Sequence, residues 1–194
     1  METLLNKLEY DKIIECLNKY CKTYLGKNLC KNLRPQFSFK KVELLLNETT
    51  QADILLHQKG IPPFYETDEL EKYIKVLESN QTLSIKGLLN LAMLLKMARE
   101  LKEYFYENTA FSFDILEKYF SFLYSNPLIE KNIFNKLIDE NTVADNASNK
   151  LSSLRRNRKN YEQDIKDKLN SYIHSSTYAK YIMEPIVTIR NNRY

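Results

Sequence analysis

Apolar residues recur every three or four positions through most of the chain, which predicts a succession of helices. Tyr10 to Tyr20 carries Ile13, Ile14 and Leu17 at that spacing, with Cys21 just beyond. A second short helix fits Thr23 to Leu33 and ends before Pro35, since proline lacks an amide and restricts the residue before it. Ser38 is placed to cap a third helix bearing Val42, Leu45, Leu46, Ala52, Leu55 and Leu56, with Gly60 as its stop ahead of Pro62 and Pro63. Thr67 is expected to cap the next, whose face is Leu70, Tyr73, Ile74 and Leu77. Ser84 opens a long helix with Leu88, Leu91, Leu95, Ala98, Leu101 and Phe105 on one face. Phe113 to Tyr124 reads as a short aromatic helix, and Asn126-Pro127 as a cap followed by proline at the first helical position.

The pattern then breaks. Residues 139–147, DENTVADNA, are polar and predict a loop or a tiny hairpin, because Asp and Asn satisfy turn backbones with their own side chains. From Ser148 a single helix is expected to about Ser175, with an apolar stripe of Leu151, Leu154, Tyr161, Ile165, Leu169 and Tyr172/Ile173. Arg158 and Lys168 interrupt the stripe, so it is narrow and requires a partner. Glu162–Lys166 and Asp164–Lys168 have the spacing of helical ion pairs. Ile186-Val187-Thr188-Ile189 is β-branched throughout and reads as a strand, with Asn191-Asn192 suited to a hairpin turn. The sequence stops where the return strand would begin, so the chain is expected to be a piece of a longer protein. The pattern as a whole predicts an all-α helical bundle, residues 1–147, followed by a long protruding helix and a truncated β-hairpin, residues 148–194.

Charge adds an asymmetry that the net value of +4 conceals. Residues 1–147 hold 19 Lys/Arg and 21 Asp/Glu, a net −2, whereas residues 148–194 hold 10 and 4, a net +6. A basic end on a near-neutral body points to a polyanion, although a solvated helix face would look the same. Among the basic residues, Arg155, Arg156, Arg158, Lys159, Arg190 and Arg193 are the candidates for phosphate contact.

Composition removes several function classes. Three Gly in 194 residues and no GxxxxGK[ST] leave no P-loop. HExxH, GxSxG and paired CxxC are absent too, so no catalytic residue is assigned. Cys16, Cys21 and Cys30 are an odd, closely spaced set, which argues against a disulfide framework and for a reducing compartment. His57 and His174 lie far from them in sequence, so no metal site is expected. No apolar run approaches the ~20 residues of a membrane helix, and the N-terminus lacks a signal-peptide pattern, so a cytoplasmic protein is expected. The aromatic cluster from Tyr104 to Tyr124, including Phe111, is read chiefly as core.

The order of these features resembles a known family. Leu8-Glu9-Tyr10-Asp11-Lys12-Ile13-Ile14 is similar to its opening "LEFDKIL", and Leu25-Gly26-Lys27, Leu33-Arg34-Pro35 and Leu83-Ser84 follow in order. Ile138-Asp139, Asp145-Asn146-Ala147-Ser148 and Leu151-Ser152-Ser153-Leu154-Arg155 continue it. Ile186 to Tyr194, IVTIRNNRY, resembles "VVTIRNGRYVIPV", with Asn192 in place of the usual Gly. The chain thus resembles the N-terminal part of the second bacterial MutS paralogue, the recombination-suppressing MutS-type endonuclease with a C-terminal Smr domain. That resemblance implies a helical core or lever domain (1–147), then the outgoing arm and the start of a clamp domain (148–194). It implies branched DNA, or ribosomal RNA in stalled or collided ribosomes, as the partner, and a homodimer for the full-length protein. ATP and magnesium would serve the ATPase beyond Tyr194, so this segment is expected to be non-catalytic and to hold no cofactor. The competing expectation is a helical scaffolding module whose arm mediates dimerisation through the 151–172 stripe.

Overall fold

Ser84 accepts the Gly87 amide at 3.1 Å and starts the helix Ile85–Tyr106. This helix organises the first unit. From Gly87 to Lys102 none of its residues is fully exposed, and Gly87, Ala92, Met97, Ala98, Leu101 and Phe105 are buried. A helix enclosed on all sides must have neighbours around its circumference. The structure, a computed structural model, describes residues 5, 7–107, 112–182, 184 and 186–189. It divides into two units, Met1–Thr142 and Val143–Tyr194, each described by itself.

In chain order the α-helices of the first unit are α1 (Tyr10–Asn18), α2 (Tyr24–Lys31), α3 (Phe39–Lys59), α4 (Leu70–Glu78), α5 (Ile85–Tyr106), α6 (Asp114–Ser121) and α7 (Pro127–Lys136). The second unit contains α8 (Asn149–Ile173) and a short 3₁₀ turn, Ala179–Tyr181. Asn126 accepts the Ile129 amide and Pro127 occupies the first turn of α7, as the sequence implied. Gly60 ends α3 with φ of 75°, a conformation that favours glycine. At Gly87 a Cβ would lie 3.2 Å from the Tyr73 ring, so the missing side chain lets α4 approach α5.

The apolar core joins three helices. Leu55 of α3, Phe105 of α5 and Phe113 before α6 are buried together, with Tyr104, Leu116 and Phe120 against them. Phe105 stacks on Phe120 at 4.2 Å between centroids and meets Phe113 at 6.2 Å. Burying each large side chain contributes about 2–3 kcal/mol before entropy is counted. The aromatic segment is only partly core, for Phe122 and Tyr124 are 86% and 70% exposed. Phe111 lies outside the described residues.

Polar ties fix the register of these helices. Lys59, at the end of α3, donates to the carbonyls of Tyr104 (2.7 Å), Phe105 (2.9 Å) and Glu107 at the end of α5. Its ammonium thereby meets the negative end of the α5 dipole. Burial lowers its pKa, and the Glu107 charge offsets part of that shift. Gln51 of α3 accepts the amides of Ile115 and Leu116, both at 3.2 Å, and so satisfies the first turn of α6 from a neighbouring helix. Arg99 of α5 forms a fork on Glu130 of α7, Nε to Oε2 at 3.0 Å and Nη2 to Oε1 at 2.9 Å, and also reaches Glu103 at 3.1 Å. Glu130 is buried, and the Arg99 hydrogen bonds hold its carboxyl below the usual range even though burial pushes the other way.

Two expectations need correction. Thr67 does not cap its own helix. Its hydroxyl accepts the Tyr24 amide at 3.2 Å and its backbone bridges Thr23, while Glu69 holds the N-cap position of α4. Side-chain propensity identified a cap, and a long-range partner took the oxygen. The truncated hairpin is likewise unsupported: Ile186–Ile189 is not a strand, and Ile186 and Ile189 are 66% and 57% exposed. A strand exists through a ladder with a neighbour, and no strand is assigned among the described residues. The expected turn at Asn191-Asn192 lies outside those residues.

Glu130→Gln tests the α5–α7 tie. A carboxyl whose folded pKa is depressed stabilises above its unfolded pKa, and that stability is lost as pH falls through the folded value. Urea unfolding should show E130Q weaker than wild type by about 2–4 kcal/mol at pH 7, with the gap closing below about pH 4. A constant gap from pH 7 to 3 would show that ionisation of Glu130 is not what matters.

Candidate nucleic-acid interface

The first eleven residues of α8 carry the basic cluster, and local rules build them. Ser148 Oγ accepts the Leu151 amide at 3.1 Å, which supplies the N-terminal cap. The preceding polar stretch turns as its composition implied. Asp139 accepts the Asn141 amide at 2.8 Å, and that backbone hydrogen bond, with those from Thr142, depresses its pKa. No residue of α8 is buried.

Lys150, Arg155, Arg156, Arg158 and Lys159 fall between positions 150 and 159, where there is no carboxylate. The first turn of α8 also contains no acidic residue. Lys150, in the first turn, opposes the helix dipole and costs helix stability; the effect has fallen off by Arg155. The arrangement therefore makes an electropositive surface that only an external anion, or a carboxylate from elsewhere, can neutralise.

The candidate residues do not act as one face. At ~100° per residue, Arg156 projects roughly 160° from Leu154 and lies opposite the apolar stripe. There it lines an open polar hollow of about 440 Å³ with Asn149, Ser152, Ser153, Asn157 and Asn160. Lys159 lies on an adjoining sector, and neither residue forms an ion pair among the described residues. Arg155 is engaged otherwise: it donates to the Val143 carbonyl at 2.8 Å and pairs with Asp145, which fastens the loop before the helix. Arg158 falls within the apolar stripe and pairs with Glu162 at 3.3 Å. Glu162 thus takes a partner one turn earlier than the sequence spacing to Lys166 implied. Exposed pairs of this type differ by only a few tenths of a kcal/mol, which leaves the choice to local rotamers. Arg190 and Arg193 lie outside the described residues.

The amide and hydroxyl neighbours of Arg156 were missed in sequence. Their signal was present, since Asn149, Ser152/Ser153, Arg156 and Asn160 recur at three- and four-residue spacing. Attention to cations alone passed over it. The stripe itself is uncovered: Leu154, Tyr161, Ile165 and Tyr172 are 56%, 67%, 44% and 56% exposed, and Leu151 and Leu169 are half-buried. Tyr178 packs edge-on against Tyr172 at 5.7 Å where the chain turns after α8. His57 is exposed, with Nδ1 2.9 Å from the Asp53 carbonyl, and His174 is the C-cap of α8. Among the described residues no group of three or more His, Cys, Asp or Glu could hold a metal ion, and no helix is long and apolar enough to cross a membrane.

No protein-family model matches the chain. Curated proteins do, over nearly all of it, and they make it a MutS-type segment. It is 39% identical over 191 residues to Endonuclease MutS2 of Ruminiclostridium cellulolyticum, an alignment covering 96% of this chain and 24% of that protein. Against Endonuclease MutS2 of Acetivibrio thermocellus it is 37% identical over 196 positions, covering 100% and 25%, and against that of Clostridium botulinum strain Okra 37% over 188, covering 96% and 24%. Within the MutS type, then, the chain is homologous to MutS2, and it spans about a quarter of the length of these relatives.

Because Arg155 is tied to the loop, Arg155→Ala should act on structure before binding. Hydrogen exchange at Asp145–Ser148 is expected to accelerate about tenfold, while the α8 amides beyond Arg158 change little. Unchanged exchange in the loop would remove the structural role assigned to Arg155.

Proposed function

We propose that this chain is a non-catalytic lever and clamp segment of a MutS-type ATPase and endonuclease, and that the start of α8 holds the phosphate backbone of branched DNA or structured RNA, including that of stalled ribosomes. The observation that carries this reading is the carboxylate-free cluster Lys150 to Lys159 at the N-terminal end of a helix. Arg156 and Lys159 neutralise phosphate, and Asn149, Ser152, Ser153 and Asn160 supply neutral hydrogen bonds beside Arg156. Such contacts position a protein on a backbone without reading bases, so recognition is of shape. Homology to MutS2 supports the assignment to a larger enzyme.

The test is a titration of the 194-residue chain with labelled four-way DNA junction, linear duplex and structured RNA at several salt concentrations. Log affinity should fall linearly with log salt, and Arg156→Glu with Lys159→Glu should flatten the slope by about 2 on duplex. A charge-reversed protein with unchanged affinity and slope would sink the proposal.

The bare stripe of α8 favours a second reading, in which the arm pairs with another copy of itself or with another helix, and the charge merely keeps it soluble. Ile165→Ser with Leu169→Ser should then convert a dimer to a monomer in light scattering. A wild-type chain that is monomeric at about 100 μM would leave the nucleic-acid reading alone in the field.

A further inference from the structure

The cysteines are not used by anything described so far, and two of them are brought together. Cys30 of α2 is buried, Cys21 in the turn after α1 is half-buried, and Cys16 is exposed. Cys30 Sγ lies 3.6 Å from the Ile14 carbonyl and Cys21 Sγ 3.8 Å from the Leu17 carbonyl. Those two carbonyls are three residues apart on α1, so both sulfurs lie against one ridge of that helix. The same proximity appears from α2. A Cβ at Gly26 would lie 3.9 Å from Cys21 Cβ, and residue 26 is one turn before Cys30 on the same face. Helical side chains lean toward the N-terminus, so Cys30 tilts toward the turn over which Cys21 sits. Burial first, and then the nearby Cys21 thiol, push the pKa of Cys30 up.

We propose that Cys21 and Cys30 form a reversible disulfide when a peroxide-class oxidant reaches Cys21, so that this pair is a redox-modification site joining the turn after α1 to α2. The half-exposed Cys21 sulfur attacks a peroxide oxygen; the O–O bond breaks, the sulfur becomes a sulfenic acid, and one water leaves. Cys30 then attacks that sulfur, a second water leaves with the hydroxyl, and the S–S bond forms. Two thiols are oxidised by two electrons, and one peroxide is reduced to two waters. Cys30 does not react first because it is buried away from the peroxide; in the second step its thiol proton leaves with the sulfenic hydroxyl as water. It is placed to resolve the sulfenic acid before further oxidation. A low-molecular-weight thiol reverses the bond by exchange.

The bond would act on a junction that other contacts already define. Thr23, between the two cysteines, caps α2 by accepting the Gly26 amide at 3.0 Å and bridges Thr67 ahead of α4. Closing the loop from Cys21 to Cys30 would fix the turn after α1, already anchored through Thr23 to the rest of the first unit, to α2, chiefly by restricting the unfolded chain.

Limited hydrogen peroxide, an alkylating quench and a non-reducing tryptic digest decide the matter, because cleavage after Lys22 and Lys27 separates the two cysteines. The expected product links the Cys21 and Cys30 peptides, exceeds any disulfide containing Cys16 by about tenfold, persists in Cys16→Ser and disappears with dithiothreitol. Cys21→Ser, at a half-exposed position that leaves the fold intact, should lose both the linked peptide and the upward shift in melting temperature that peroxide gives the wild type. Cys30→Ala should instead leave Cys21 trapped as a sulfenic acid detectable with dimedone. Cross-linking chiefly through Cys16, or conversion of wild-type Cys21 to sulfinic acid without a bridge, would overturn the proposal.

Discussion

The enclosure of α5 is the constraint on which the first unit depends. A 22-residue helix with no fully exposed position from Gly87 to Lys102 is stable only while its neighbours stay docked. Each neighbour meets it by a different device. Gly87 admits the ring of Tyr73, Arg99 forks onto Glu130, and Phe105 stacks on Phe120. Two of these devices are specific rather than strong. A buried ion pair recovers little net energy after desolvation, but a mismatched register leaves a carboxylate buried and alone, which costs far more. Arg99 and Glu130 therefore set where α7 sits along α5.

The second unit is held by opposite means. α8 buries no residue, so its helicity rests on the Ser148 cap, the Arg158–Glu162 pair and intrinsic propensity. Those are small terms, and Lys150 in the first turn subtracts from them. A chain that places charge against the dipole and apolar residues against water departs from the arrangement that would best stabilise the isolated helix. Such departures are expected where a surface serves a partner. The two faces of α8 differ in chemistry: Arg156 and its amide neighbours line a polar hollow, while Leu154, Tyr161, Ile165 and Tyr172 are exposed apolar residues.

Periodicity carried the existence of the eight helices named among the described residues and several of their ends, because caps and stops are local chemistry. Ser84, Asn126, Ser148 and Gly60 each act within a few residues of themselves, so their roles were legible in order. Thr67 shows the limit: the same side chain that would cap α4 accepts the Tyr24 amide 43 residues away. Gln51 is the converse case, a mid-helix residue with no local signature that caps another helix.

The sequence by itself determined the all-α class, the existence of the helices, the charge asymmetry and the MutS-type kinship, since each is written in spacing, local chemistry or similarity. Only the tertiary structure decided which cations are committed and which remain to bind, because Arg155 and Arg156 are adjacent in sequence yet one is tied to Val143 and Asp145 and the other faces solvent. It also decided that α5 is enclosed on all sides rather than on one, and that Cys21 meets Cys30. These facts depend on which surfaces meet at long range, and a pairing between distant residues leaves no periodic trace in either partner.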